Sequence, residues 1–139
     1  LVMVGDGPRR RKMELLKATA PHLSILFTGY LPFAQLPAWY ALTRVFVHPA
    51  RYEPWGVSVH EAIAAGCAVV ASNRVGSGYD LIREGHNGFQ YASGDVNALS
   101  QCLGKALQLP REQVENANQA ILSQWNYAVL SKEFEGLEG

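Results

Sequence analysis

The feature that most restricts the fold of this chain is a series of short, almost wholly apolar runs separated by helix-compatible sequence. Residues 2–4, 23–28, 45–47 and 68–72 are such runs. They lead into Gly5-Asp6-Gly7-Pro8, Gly29-Tyr30-Leu31, His48-Pro49 and the loop that starts at Asn73. Helical stretches are expected up to Thr19 and over about residues 35–42 and 56–65. A strand that is apolar along its whole length, rather than at every second position, is covered on both faces. Parallel strands need crossovers long enough to hold a helix, and those helices supply the cover. The expectation is therefore an α/β protein, a Rossmann-like doubly wound parallel sheet with helices on both faces.

The later sequence continues in the same style. Residues 73–80 read as a glycine-containing loop, with Gly76 and Gly78, and Gly85 and the pair Asn87-Gly88 mark a turn before a short strand at 89–91. Asp95 is placed to cap a helix over 96–107, with Leu99, Leu103, Ala106 and Leu107 on its apolar stripe. Pro110 separates that helix from a last helical region over 111–135, interrupted near Trp125, with a fraying tail beyond. With 139 residues, 48% of them hydrophobic and 17% charged, the chain suffices for one core and not two. One globular domain is expected.

Twelve basic residues balance twelve acidic ones, so no net field draws the chain to nucleic acid or to an anionic membrane. An anionic ligand must be held by local groups. The cluster Arg9-Arg10-Arg11-Lys12 lies at a helix start and reads as a solvated face rather than a phosphate clamp. Cys67 and Cys102 stand in apolar sequence without partners at metal-ligand spacing, so no metal site is expected. The longest apolar stretch, residues 62–71, is broken by Gly66 and too short to cross a bilayer. Without a visible targeting segment, a cytoplasmic location is expected, with attachment at the inner membrane face left open for the full-length protein.

Ligands of open parallel sheets bind beyond the carboxyl ends of the strands. Gly5-x-Gly7 is not a dinucleotide fingerprint, because Arg10 stands where the third glycine belongs. The informative segment is Glu53-Pro54-Trp55-Gly56-Val57-Ser58-Val59-His60-Glu61-Ala62. Pro54 biases Glu53 toward an extended conformation that projects its side chain. Gly56 permits close approach of a ligand to the backbone. Gly56, Val57 and Ser58 would offer unpaired helix-start amides, suited to phosphate. Glu61 lies one turn on, on the face of Val57 and Ser58. An acid near a phosphate is tolerable if it meets vicinal hydroxyls, two donors that match its two oxygens. The alternative is that both glutamates are ordinary solvated acids beside a core helix.

Tyr52-Glu53-Pro54-Trp55-Gly56, with Glu61-Ala62 and Gly66 following, is similar to the donor-site motif of the retaining GT-B glycosyltransferases of family 4. Val4-Gly5-Asp6-Gly7-Pro8, Phe27-x-Gly29, Val45-Phe46-Val47-His48-Pro49, Ala68-Val69-Val70-Ala71-Ser72 and Gly85-x-Asn87-Gly88-Phe89 fall in that family's order, so the resemblance covers nearly the whole chain. It implies the carboxyl-terminal, donor-binding half of a GT-B enzyme that transfers a hexosyl group from a nucleoside-diphosphate sugar to an acceptor hydroxyl, without a cofactor or metal. The acceptor, a glycan, lipid or other hydroxyl compound, would be held by an amino-terminal domain outside this chain. Glu61 would hold the ribose, and Glu53, the catalytic residue of the site, would contact hydroxyls of the donor sugar. Gly56, Val57 and Ser58 would hold the diphosphate, and Gly29, Tyr30 and Leu31 would border the base.

The family's Arg and Lys for the diphosphate belong to a strand-helix unit that precedes residue 1, so this chain is expected to be a piece of a longer enzyme and inactive alone. Arg51 is read either as a partial substitute for that charge or as a structural contact of Tyr52. Asp80 takes a position where many relatives carry Glu, and Cys67 one where proline or a larger apolar residue is common, reading as a small core side chain. His22, His48, His60 and His86 read as packing or surface histidines, and Trp39 and Tyr40 as packing residues of a helix. Trp55 reads as an anchor of its loop, with covering of the donor as the alternative. Two rival functions stand beside the transferase: a non-catalytic nucleotide-binding module, and another sugar-nucleotide enzyme such as an epimerase.

Overall fold

The computed structural model describes residues 1–125. They form two compact units, Leu1–Leu36 and the chain from Pro37 onward. In the first, β1 (Val2–Val4) pairs in parallel with β2 (Leu26–Gly29), and α1 (Arg10–Ala18) connects them. Val2 faces Leu26 and Met3 faces Phe27, after which the register slips to set Val4 against Gly29. The second apolar run therefore yields a strand only from Leu26, because the residues before it turn, with the Leu23 amide bonded to the Ala20 carbonyl. Arg10 contacts Asp6 at 3.7 Å and Glu14 at 2.8 Å, so the charge of Arg10 is met by acids one turn to either side. Gly29 is the one buried residue of this unit, and Leu15 and Leu16 are exposed.

A 3-10 turn (Phe33–Gln35) leads into α2 (Leu36–Ala41). The expected single helix is divided here, and Pro37 is tolerated because a first-turn residue has no intrahelical use for an amide hydrogen. The second unit is built on β3 (Val45–His48), β4 (Ala68–Ser72) and β5 (Gly88–Tyr91), in the order β3-β4-β5 and all parallel. The central strand is buried at every residue. Its alternate side chains divide the core. Val69 and Ala71 join Val59, Ala62 and Ile63 of α3 (Val57–Ala64), with Phe46 packed against them. Val70 joins Phe89, Tyr91 and the Cys102 and Ala106 side chains of α5 (Val96–Gln108), with Val45 alongside. Burying an aliphatic or aromatic side chain of this size stabilises by roughly 1.5–3 kcal/mol. Helices thus cover both faces of a parallel sheet, as the apolar runs require.

Local signals set the helix ends. The Asp95 carboxylate accepts the Ala98 amide at 2.8 Å, capping α5 as expected. Its buried stripe runs through Cys102 and Ala106 with Ala98 and Leu99 at the margin, and Leu107 points to solvent, contrary to the expected stripe. At the end of α3, Gly66 adopts φ +84, and the Gly66 and Cys67 amides return to Ile63 and Ala62 at 3.0 and 2.9 Å. This Schellman closure starts β4 two residues later. The loop expected over 73–80 contains a short helix, α4 (Ser77–Leu81). Gly-Ser-Gly has little helical propensity of its own, and tertiary contacts with α3 supply what propensity does not. α6 (Arg111–Gln124) starts after Pro110 and buries Val114, Asn118 and Ile121. The continuation expected beyond Trp125 lies outside the described residues.

A buried polar network ties α6 to the sheet. The Asn87 amide nitrogen donates to Leu81 O at 3.1 Å and to Asn118 Oδ1 at 2.9 Å, and Asn118 donates to Cys67 O at 3.0 Å. Asn87 and Asn118 are buried, and these bonds meet the requirement that buried polar groups be paired.

Candidate functional site

The carboxyl edge of the three-stranded sheet carries the segment singled out in the sequence. Glu53 is extended, bridging in parallel to Val75. Its amide donates to Arg74 O at 3.0 Å, the Gly76 amide to Glu53 O at 3.0 Å, and the Ser77 amide to Trp55 O at 2.8 Å. The loops after β3 and β4 are therefore laced together by backbone bonds. Gly76 permits that closeness: a Cβ there would fall 2.9 Å from the Pro54 carbonyl carbon and closer still to its oxygen. Ser77 adds a side-chain bond to Gly56 O at 3.2 Å.

Gly56 caps α3 with φ +92 and no side-chain cap. The sequence suggested a glycine that admits a ligand, and the structure gives another reason for it. The backbone is left-handed, and a Cβ would meet Val75 Cγ1 at 2.9 Å and Glu53 Cγ at 3.2 Å, so the protein itself fills the space. Among the described residues, the amides of Gly56, Val57 and Ser58 have no hydrogen-bond acceptor, and Val57 is 61% exposed. The first turn of α3 thus carries unpaired donors and partial positive charge, with Gly56 buried, Ser58 half-buried and Val57 exposed.

Two glutamates flank that turn, each with a neighbour that sequence reasoning passed over. Glu61 Oε2 accepts the Tyr40 hydroxyl at 3.0 Å. Burial, reinforced by the bond to Glu61, raises the Tyr40 phenol well above its ordinary range, so it remains a donor. Glu53 Oε1 lies 3.4 Å from the Trp55 amide, and its Oε2 lies 3.9 Å from His48 Nε2. Burial lowers the His48 imidazole below its usual value, and the Glu53 charge opposes that shift only in part. Tyr40, Phe46 and His48 form an aromatic row, with centroids 5.6 Å apart edge-on and then 6.0 Å apart stacked. The signal available in the sequence was the two-residue spacing of Phe46 and His48, which places both on one face of β3 beside the Glu53 loop.

Of the remaining expected residues, Trp55 packs on Trp125 at 5.4 Å and serves as a loop anchor. Cys67 is buried, its thiol directed at Tyr40 O and Thr43 O, as a small core side chain. Asp80 lies exposed on α4 and Arg51 is exposed in its loop. His60 is half-buried on α3, and His22 and His86 are exposed. Gly29, Tyr30 and Leu31 belong to the first unit: Gly29 has φ +71 and accepts the Gly5 amide at 2.9 Å, and Tyr30 is 81% exposed. Two hollows of about 260 and 240 Å³ lie elsewhere in the second unit, one lined by Arg83, His86 and Ile121, the other by Arg44, Gly66 and Arg111 at the amino end of the strands. No helix of the described residues is long and apolar enough to cross a membrane.

A parallel α/β domain with a bare helix start between two acids at its carboxyl edge belongs to the class of folds that take anionic ligands at strand ends. Residues 1–122 match the family described as glycosyl transferases group 1, and the chain belongs to that family. A GDP-mannose-dependent alpha-mannosyltransferase of Mycolicibacterium smegmatis is 43% identical over 82 residues, 59% of this chain and 20% of that protein. Sulfoquinovosyl transferase SQD2 of Arabidopsis thaliana is 38% identical over 99 residues, 69% of this chain and 19% of its own length. Among solved structures, sucrose-phosphate synthase from Thermosynechococcus elongatus superposes with a TM-score of 0.78 and 25% identity, covering 99% of this chain and 37% of that one. The matches to curated relatives such as these span between 19% and 32% of their length.

Proposed function

We propose that this domain binds the nucleoside-diphosphate sugar of a glycosyltransferase and presents its anomeric carbon to an acceptor hydroxyl held elsewhere in a longer protein. The observation that carries the reading is the uncapped start of α3, its first amides unpaired, with Glu53 before it and Glu61 one turn after it. The diphosphate lies on the amides of Gly56, Val57 and Ser58, where fixed dipoles offset the negative charge that grows as the sugar departs. Glu61 takes the ribose hydroxyls with the oxygen that Tyr40 leaves free, and Glu53 takes hydroxyls of the sugar. The GDP-mannose dependence in the name of one relative makes a guanine donor the first to try. Transfer proceeds with retention and without a metal, and the acceptor is a glycan, a lipid or another hydroxyl compound.

Titration of the chain with GDP, GDP-mannose, UDP and UDP-glucose tests this reading. Glu61→Gln is expected to weaken nucleoside diphosphate and nucleotide sugar alike by roughly tenfold or more, the range of a lost hydrogen bond to a charged group. Glu53→Gln is expected to weaken only the nucleotide sugars. Equal affinity for nucleotide with and without its sugar, together with an inert Glu53→Gln, would replace the transferase reading with a nucleotide-binding module. Release of nucleoside diphosphate by the longer protein without any acceptor dependence would favour a hydrolytic sugar-nucleotide enzyme, and conversion of the donor sugar with no release of diphosphate would favour an isomerising one such as an epimerase.

A further inference from the structure

We propose that His48 is a positioning residue for the donor-sugar acid: its Nε2–H orients the Glu53 carboxylate so that the lone pairs left on its oxygens face the sugar. The inference rests on the donor-site reading above. Its geometry stands apart from it.

His48 ends β3, so the strand fixes its backbone, and the ring is clamped from one side. It stacks on Phe46 at 6.0 Å with an interplanar angle of 18°, and Phe46 meets Tyr40 edge-on at 5.6 Å. Its Nε2 is buried and has no hydrogen-bond partner among the described residues. Leaving a buried donor or acceptor unpaired costs about 1–3 kcal/mol, and such an atom calls for a role. Glu53 Oε2 stands 3.9 Å away, beyond a hydrogen bond and within one side-chain adjustment of it. The other carboxylate oxygen is already turned toward the Trp55 amide at 3.4 Å, and Trp55 is held by Trp125. A sugar that draws the carboxylate inward completes both contacts together, so the acid meets its ligand in one orientation.

The chemistry suits a neutral donor. Burial disfavours the charged imidazole, so near neutral pH His48 offers one N–H and one lone pair. A neutral N–H fixes the carboxylate without cancelling its charge, which is wanted beside a sugar that gains positive character. The same end of the row is repeated at Glu61, where Tyr40 holds one oxygen through its hydroxyl at 3.0 Å. Each acid of the site is thus met by the polar tip of an aromatic side chain from one continuous row.

Two measurements on the chain decide the matter. In the absence of ligand, side-chain 15N NMR should find His48 with its proton on Nε2, and Glu53→Gln should lower its titration midpoint, because the neighbouring acid is what holds that midpoint up. A midpoint and tautomer unmoved by Glu53→Gln would overturn the proposal. In calorimetric titrations with GDP and GDP-mannose, and with UDP and UDP-glucose, His48→Phe should cut the advantage of the sugar nucleotide over the bare nucleotide by roughly five- to tenfold, the range of one hydrogen bond, and leave bare-nucleotide affinity within about twofold. His48→Gln, which returns an N–H at similar reach, should restore most of the advantage. An equal loss for both ligands would mark a merely structural role and overturn the inference. If Glu53→Gln removes the sugar advantage and His48→Phe does not, the positioning role fails alone. If Glu53→Gln is itself inert, the donor-sugar reading fails, and the NMR experiment still judges the His48–Glu53 pair.

Discussion

Replacing Gly76 by alanine adds one methyl group at the point where two site loops cross. The residue has φ −58, so its backbone suits alanine, and the whole effect must come from space. The added carbon would lie 2.9 Å from the Pro54 carbonyl carbon and 3.5 Å from Trp55 Cα. Carbon atoms prefer about 3.5–4.0 Å, so the loops must part by on the order of 1 Å. That parting stretches the bonds from Gly76 N to Glu53 O and from Ser77 N to Trp55 O, now 3.0 and 2.8 Å, beyond bonding distance. Two such bonds contribute about 1–3 kcal/mol together, and the residual overlap adds about 1–3 kcal/mol. Against this, alanine restricts the unfolded chain, a gain of about 0.4–1 kcal/mol. The expected net loss is about 2–4 kcal/mol, on the order of 10 °C in Tm, measured by urea and thermal unfolding. Gly104→Ala is the control: a Cβ on this α5 residue meets nothing within 4 Å, and a gain of about 0.5–1 kcal/mol is expected. A Gly76→Ala protein within about 0.5 kcal/mol of the parent, on the scale of an ordinary surface change, would refute the claim that the loops are locked by backbone contact.

Asn118→Ala is expected to cost about 1–3 kcal/mol in urea unfolding, since it strips Cys67 O of its donor and Asn87 of an acceptor; an unchanged midpoint would deny the network a structural role. Burial pushes the Cys67 thiol up from 9.0 to about 11. A group raised on folding lends its support in full below its unfolded value and loses it as pH climbs through the folded one, so Tm should hold to about pH 9 and decline between about 9 and 11. Cys67→Ala should flatten part of that decline in a pH series of melts.

The parallel α/β class was legible because its evidence is continuous: β4 is four small apolar residues in a row closed by a serine, and a strand of that kind has no solvent face. The α5 cap was legible because Asp95 acts through its own side chain three residues on. The placement of Glu61 one turn beyond Val57 was legible because α3 fixes that spacing, and Glu53 was legible as extended because it precedes Pro54. What stayed hidden depends on residues distant in sequence. α4 is held by its neighbours against its own composition, so no local signal announces it. Gly56 was legible as special, but the reason for it, side chains from residues 53 and 75 pressing on its Cα, is tertiary. Tyr40 and His48 read as packing residues because an aromatic ring reveals its apolar face in sequence, whereas the use of its polar tip depends on a neighbour 21 residues away for Tyr40, Glu61, or five along a folded loop for His48, Glu53.

The lacing of residues 53–56 to residues 74–77 also bears on how donor preference can change. A substitution that reshapes one loop is transmitted to the other through the backbone hydrogen bonds between them, so the pair behaves as a single mechanical part made from two separate stretches of sequence. Exchanging the Glu53 segment alone between relatives should carry over side chains without their placement. A working graft has to move both stretches as one cassette.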